Sequence, residues 1–225
     1  MAADTHGIIL VIISLIEAVF ILWLFFTRSK GHILYSYLGF AVGVFFWVLG
    51  NGLHRLMDTN EAAFFWTDIN HFFAMLIAVS FLYFSYAFPY FTSRINIRKI
   101  VILILPLVAF FILIFFTNTI VEKITGEFGS RFQVIGPLYH LYAVTWLFYF
   151  LWGLKNLFKK LKISDGVQRW QIKWLLVGII ISGIFGTFFD LFMTWFGGPQ
   201  YYYLGSESSL IWLTFTGYVI FKKQV

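Results

Sequence analysis

The sequence contains no cysteine, only four prolines and only 12% charged residues. Without cysteine, structural disulfides, thiolate zinc sites and cysteine nucleophiles are excluded together. The scarcity of charge excludes a water-soluble globule, because 60% apolar residues leave too little polar surface to solvate a chain of 225. Met1 to His6 carry Asp4 and no basic residue, so the charged leader of a cleavable signal peptide is missing. The first apolar run is therefore expected to be kept as a span. The net charge of +6 sits beside the ends of apolar runs, where anionic headgroups lie, and not on a basic stripe with stacking aromatics. Nucleic acid is excluded as a partner on that ground.

What the sequence does have is seven long apolar runs, near residues 7 to 27, 33 to 55, 63 to 88, 99 to 118, 136 to 158, 171 to 196 and 207 to 222. A hydrocarbon core of about 30 Å takes roughly 20 helical residues to cross, so each run reaches, the last with least to spare. In lipid every backbone amide must be paired within its own segment or in a closed barrel, and the short alternating runs of barrel strands are absent. The expected fold is all-α: one domain over residues 1–225, a seven-transmembrane helix bundle.

Lys and Arg fall in alternate gaps. Arg28 and Lys30 follow the first run, and Arg94, Arg98 and Lys99 follow the third. Lys155, Lys159, Lys160, Lys162, Arg169 and Lys173 surround the gap between the fifth and sixth, and Lys222 and Lys223 follow the seventh. The remaining segments hold only Arg55, Lys123 and Arg131 among basic residues, with most of the acids. The positive-inside rule then places the N-terminus outside and the C-terminus in the cytoplasm. Gaps are short, which leaves no room for an inserted domain. The gap Thr119 to Ile135 is mixed, and the basic segment from Lys159 to Trp170 reads as an extension of both neighbouring helices into water. Pro106 is expected to bend the fourth run. Trp195, Tyr201, Tyr202 and Tyr203 mark an outer aromatic belt. Gly39 with Gly43, and Gly178, Ser182 and Gly186, are spaced for close helix–helix approach in lipid.

The informative residues are polar ones at depths where they cost free energy. Asp190 continues the Gly178, Ser182, Gly186 spacing by another four, so it is expected on the packed face of the sixth span. Asn51 and His54 lie near the outer end of the second span, Asp68 and His71 near the outer end of the third, and His140 about one turn into the fifth. All of these lie in the outer half and are the candidate lining of one vestibule that opens outward. Arg55 reads as an interfacial charge that snorkels to headgroups. Glu17 is about 15 Å into the first span, near the midplane, where an ionised carboxylate costs roughly 3 kcal/mol. It is expected to be protonated or paired, and is a candidate switch. Three histidines with carboxylates suit zinc, yet no two histidines share a helix at ligand spacing, so no metal and no other cofactor is expected. The seventh run has no lysine before Lys222, which removes a mid-membrane Schiff base.

Several segments carry a resemblance. They are Gly136-Pro137-Leu138-Tyr139-His140-Leu141-Tyr142, Leu151-Trp152-Gly153-Leu154, Lys159-Lys160-Leu161-Lys162, Val167-Gln168-Arg169-Trp170-Gln171-Ile172-Lys173 and Gly217-Tyr218-Val219-Ile220, with Phe46-Trp47 and Phe81-Leu82-Tyr83-Phe84 earlier. Together they resemble the N-terminal seven-span sensor region of bacterial histidine kinases, over essentially the full chain. The most discriminating piece is Gln168-Arg169-x-Gln171. The resemblance implies a membrane-embedded sensor whose seventh helix runs on into cytoplasmic signalling domains. It transfers no binding residues, so the vestibule rests on depth and facing alone. The sequence ends at Val225 with no phospho-accepting helix or nucleotide lobe, and no enzymatic activity is expected of it.

The function these features imply is a bacterial inner-membrane sensor that takes a small ligand, ion or lipid component from outside and relays helix movement to a cytoplasmic or membrane signalling partner. The bilayer and a second copy of the chain are the other candidate partners. A small transporter or channel, with Glu17 and the outer polar groups on its path, is the rival from another class, and a structural membrane subunit is the third reading.

Overall fold

The computed structural model describes residues 4–28, 30–90, 97–126, 131–193 and 203–221. Trp195, Tyr201 and Tyr202 of the expected belt, Arg94 of the inner gap, and Lys222 and Lys223 lie outside the described residues. The helices are α1 (Thr5–Thr27), α2 (His32–Leu56), α3 (Asn60–Ala87), α4 (Ile97–Phe116), α5 (Tyr139–Ile163), α6 (Gly166–Gly186), α7 (Tyr203–Glu207) and α8 (Ser209–Phe221). A π-helical turn, Thr187–Phe192, continues α6.

Capping chemistry sets several starts. Asp4 accepts from the amides of His6 and Gly7 at the head of α1, and the Thr59 hydroxyl accepts from Ala62 N at the head of α3. Each satisfies an amide that the first helical turn leaves without a partner. α4 runs through Pro106 without a break in its helical assignment. α5 extends to Ile163 and α6 begins at Gly166, so both reach into the basic segment as the sequence suggests. The last run is divided at Ser208 into α7 and α8.

The chain is all-α in class, as expected, and one small element is added to the helices. Val121–Thr125 (β1) and Phe132–Ile135 (β2) pair antiparallel in the gap between α4 and α5, with a register shift between Val121 and Lys123. The rule that admits only helices applies inside lipid. In a gap outside the apolar runs, backbone groups can pair between strands or with water, and Val121 and Ile124 gain burial against the bundle. The hairpin is fastened by Arg131, whose Nε donates to Asn60 Oδ1 at 2.8 Å and whose other nitrogens donate to the carbonyls of Met57 and Asp58 in the α2–α3 turn.

The core divides into two apolar clusters joined through α3. One gathers residues of α1, α2, α6 and α8 around Tyr37, Val44, Ile179 and Leu213, and the other gathers α3, α4, the hairpin and α5 around Met75, Ile120 and Tyr142. Glycines set the closest approaches. A Cβ on Gly43 would meet Ile77 N at 3.2 Å, and one on Gly50 would meet Trp66 O at 3.1 Å, so α2 and α3 touch backbone to backbone.

The outer surface is apolar. On α1, Leu15, Val19 and Phe26 are 59%, 67% and 77% exposed, and α4 shows Leu105, Val108 and Ile112 in the same way. A continuous apolar exterior of this size is the surface of a chain solvated by lipid. Thr5–Thr27, His32–Leu56, Asn60–Ala87 and Gly166–Asp190 are each long and apolar enough to cross a membrane, and Ile100–Phe116 is a shorter apolar helix.

Candidate functional site

A cavity of about 150 Å³ lies among α2, α3, α5, the end of α6 and the α7 turn. At about 10–15 Å³ per water, it is roomy enough for a cluster of waters or a small organic molecule. From His54 to Phe40 it follows α2 for fourteen residues, roughly 20 Å at 1.5 Å per residue. Its two ends differ. Asn51, His54, Thr67, Asn70, His71 and Asp190 line one end, whereas Phe40, Val44, Ile77, Phe81, Phe150 and Ile179 line the other. Trp47, Tyr139, Tyr142 and Trp146 form aromatic walls between them.

The polar end is assembled from helix termini. The C-terminal turns of α2 bring Asn51 and His54, the N-terminal turns of α3 bring Thr67, Asn70 and His71, and the π turn brings Asp190. A π turn inside a helix is uncommon and shifts the facing of the residues it carries, often at functional sites. Asn51 holds this end together: its Nδ2 donates to Ser206 Oγ at 2.5 Å, and it is the side-chain hydrogen-bond partner of Asp190. Gly205 is packed directly on the Asp190 carboxylate and on Gly186, leaving no room for a side chain there.

The imidazole protons can be assigned from their partners. His71 Nδ1 lies 2.8 Å from Thr67 O, and a carbonyl can only accept, so Nδ1 carries the proton. His54 Nδ1 faces Ala63 O at 3.1 Å and Thr67 Oγ1 at 2.8 Å, while the Thr67 hydroxyl donates to Ala63 O at 2.9 Å. His54 is then also protonated on Nδ1, and in the neutral ring Nε2 of each histidine is an acceptor.

Most other donors around the cavity are committed to carbonyls. Asn70 Nδ2 donates to Trp47 O, Tyr142 OH to His71 O, and Trp146 Nε1 to Ala74 O. Ser182 donates to Gly178 O and Ser208 to Gly205 O, and Ser209 donates to Glu17 Oε1 at 2.8 Å. The polar end therefore presents acceptors and donors together: a carboxyl group, imidazole nitrogens, side-chain amides and hydroxyls. No Lys or Arg lines the cavity among the described residues.

The sequence-predicted residues divide by azimuth. Asn51, His54, His71 and Asp190 are brought together in the cavity wall. Asp68 is buried but is not among the lining residues. It shares an i, i+7 row with Met75 and Leu82, on the side of α3 that packs in the cluster containing α4 and the hairpin. His140 is exposed, and it is Tyr139 beside it that lines the cavity. Glu17 lies outside the lining, fully buried, joined to it through Ser209. Arg55 pairs with Asp4 at 2.7 Å and lies over the Tyr203 ring. Gly178 abuts Phe215 and Thr216 of α8 and Gly186 abuts Gly205 of α7, while Ser182, Gly186 and Asp190 on the same row also wall the cavity. Among the described residues no group of histidines and carboxylates is close enough to hold a metal ion.

Residues missed from the sequence include Thr67, Asn70, Tyr142, Ser206 and Ser209. Thr67 and Asn70 flank His71 at helical spacing and form a polar stripe on an apolar helix, a signal available to periodicity. Tyr142 three residues after Tyr139 is another.

Apolar helices that expose their hydrophobic faces and enclose a cavity with one polar end define a multi-pass membrane protein. The chain belongs to the family described as the N-terminal 7TM region of histidine kinase, whose model matches residues 8–225. No curated protein and no solved structure matches it. It is thus a membrane sensor module in signalling.

Proposed function

We propose that the cavity is the ligand site of a seven-span sensor with its N-terminus outside, and that occupancy is relayed to α8. The orientation rests on the alternation of basic gaps, which makes the hairpin side external and the α5–α6 turn cytoplasmic. The polar end of the cavity then faces outward, in a bacterial inner membrane, and a small ligand, ion or lipid component enters from that side.

The observation that carries this reading is the Asn51 bridge. Asn51 joins Asp190, on the π turn that continues α6, to Ser206 in α7, the short helix just before α8. A ligand that competes for these groups changes what α7 and α8 are fastened to. Coupling follows only if the ligand binds one arrangement of α6, α7 and α8 better than another. The basic α5–α6 turn and the inner end of α8 are the surfaces offered to a signalling partner.

Spin labels at the exposed positions Ile181 on α6 and Tyr218 on α8 test the relay in the cysteine-free background. Asn51→Leu is expected to shift or broaden the distance distribution relative to the unsubstituted chain. Identical distributions for Asn51→Leu, Asp190→Asn and the unsubstituted chain would remove the bridge from the mechanism.

A further inference from the structure

We infer that the cavity selects an uncharged ligand whose polar head both donates and accepts hydrogen bonds, as a carboxamide does, carried on an apolar body. This rests on the reading of the cavity as the ligand site and names the chemistry of what enters it. Two side-chain amides carry the argument. Asn70 is only 9% exposed in the cavity wall, and its Nδ2 donates one hydrogen to Trp47 O at 2.9 Å. A carbonyl can only accept, so that contact fixes which end of the amide is nitrogen. The second N–H and the Oδ1 of Asn70 have no protein partner among the described residues. Gln133 enters the same wall from β2, and its side-chain amide has no partner among the described residues either.

The imidazole beside Asn70 adds an acceptor. His71 spends Nδ1–H on Thr67 O, which leaves Nε2 as a lone pair in the neutral ring. The wall then holds N–H donors from both amides next to three kinds of acceptor, Asn70 Oδ1, Gln133 Oε1 and His71 Nε2. A head that only accepts, or only donates, leaves part of this set unmatched. A carboxamide carries both kinds of group on three atoms and is the complement of a wall built from carboxamides.

Charge of either sign is poorly matched there. An anion would find no Lys or Arg in the wall among the described residues. The one acidic residue of the wall, Asp190, is already the side-chain hydrogen-bond partner of Asn51 and has Gly205 packed against its Oδ2, so it is engaged in holding α7 to the end of α6. A buried charge without a counter-charge is far more costly than a neutral group of the same shape. The rest of the ligand meets ring faces and hydrocarbon. The Trp146 indole and the Tyr142 hydroxyl give their protons to Ala74 O and His71 O, and beyond them lie Phe40, Val44, Phe81 and Phe150. That end takes an apolar body without offering it a hydrogen bond.

The test compares four probes that share a benzyl body: phenylacetamide, methyl phenylacetate, phenylacetate and phenethylammonium. Each is measured by equilibrium dialysis at pH 7 against the full chain in lipid nanodiscs, with empty nanodiscs to subtract partition into lipid. Phenylacetamide is expected to bind saturably and at least about tenfold more tightly than either ion, with the ester, which has no donor, between them. Asn70→Leu and Gln133→Leu are each expected to narrow the gap between amide and ester. The comparison on the unsubstituted chain needs no variant, and Gln133→Leu lies on the hairpin, away from the helix contacts of the bundle. An ion or the ester binding as tightly as the amide, or a gap between amide and ester that is unchanged in both variants, overturns the inference and leaves the cavity as a ligand site. Saturable binding of none of the four overturns the cavity reading along with it.

Discussion

Ser209 donates its hydroxyl to Glu17 Oε1 at 2.8 Å, tying the first turn of α8 to the middle of α1. Glu17 is fully buried, and its second oxygen has no hydrogen-bond partner among the described residues. Ser209 also lines the cavity, so one hydroxyl stands between the ligand site and a carboxyl group in the lipid-embedded part of the bundle.

The first prediction follows from that contact. A single neutral donor is poor compensation for a charge at this depth, where ionisation costs roughly 3 kcal/mol. Glu17→Gln keeps an acceptor for Ser209 and removes the charge, so it should unfold thermally at or above the temperature of the unsubstituted chain. Glu17→Leu strands the Ser209 hydroxyl and should cost about 1–3 kcal/mol. If Gln proves as damaging as Leu in detergent-solubilised protein, the carboxylate charge itself is required.

Glycines of α2 that look alike in sequence should behave differently. A Cβ on Gly39 would meet only Ser80 Oγ, at an ordinary 3.6 Å, whereas one on Gly50 would meet Trp66 O and Asn70 within 3.2 Å. Gly39→Ala should therefore be neutral or stabilise by up to about 1 kcal/mol through backbone entropy. Gly50→Ala should cost about 1–3 kcal/mol by forcing α2 and α3 apart. Chemical unfolding of the pair decides it, and equal effects would contradict the packing.

How far the site could be read in the sequence depended on which coordinate was asked for. Depth was legible: polar residues in apolar runs, counted from the run ends, placed Asn51, His54, His71 and Asp190 at one height, and all four line the cavity. Azimuth was legible only where a periodic row supplied it. Asp190 had such a row, but His140 had only its height, and a shift of about 100° from Tyr139 turns it outward. The partner of Glu17 carried no local signal, since Ser209 is 192 positions away in the chain. The hairpin escaped for a different reason: in a gap outside the apolar runs lipid no longer dictates helix, and strand pairing over Val121–Ile135 depends on contacts with α3 and the α2–α3 turn that no short-range pattern reports.

The absence of cysteine makes the orientation measurable. Lys123 on β1 and Lys162 at the end of α5 are both exposed, on opposite sides of the proposed membrane. A membrane-impermeant maleimide should label Lys123→Cys in intact cells and Lys162→Cys only after permeabilisation. The reverse pattern would invert the topology and turn the polar end of the cavity toward the cytoplasm. Labelling of both in intact cells would show that the two positions share a side, against the span count between them.

Arg131 should hold the hairpin more than it holds the bundle. Its guanidinium is nearly buried and serves three acceptors, Asn60 Oδ1 and the carbonyls of Met57 and Asp58, on the turn between α2 and α3. Hydrogen bonds from a charged donor contribute about 1.5–3 kcal/mol each when separable, and removing all three at once costs less than their sum because the turn carbonyls can rehydrate. Arg131→Ala should accordingly speed amide exchange across Val121–Ile135 by roughly tenfold to a thousandfold, with little change in α2 and α3, whose helical bonds are intrinsic. Arg131→Lys, a point charge without the planar fork, should fall between the two. Because Gln133 of β2 lines the cavity, the same Ala variant should also raise the access of acrylamide, a collisional quencher, to the tryptophans of the cavity wall. Faster exchange in the hairpin without stronger quenching would mean that β2 borders the site but does not close it.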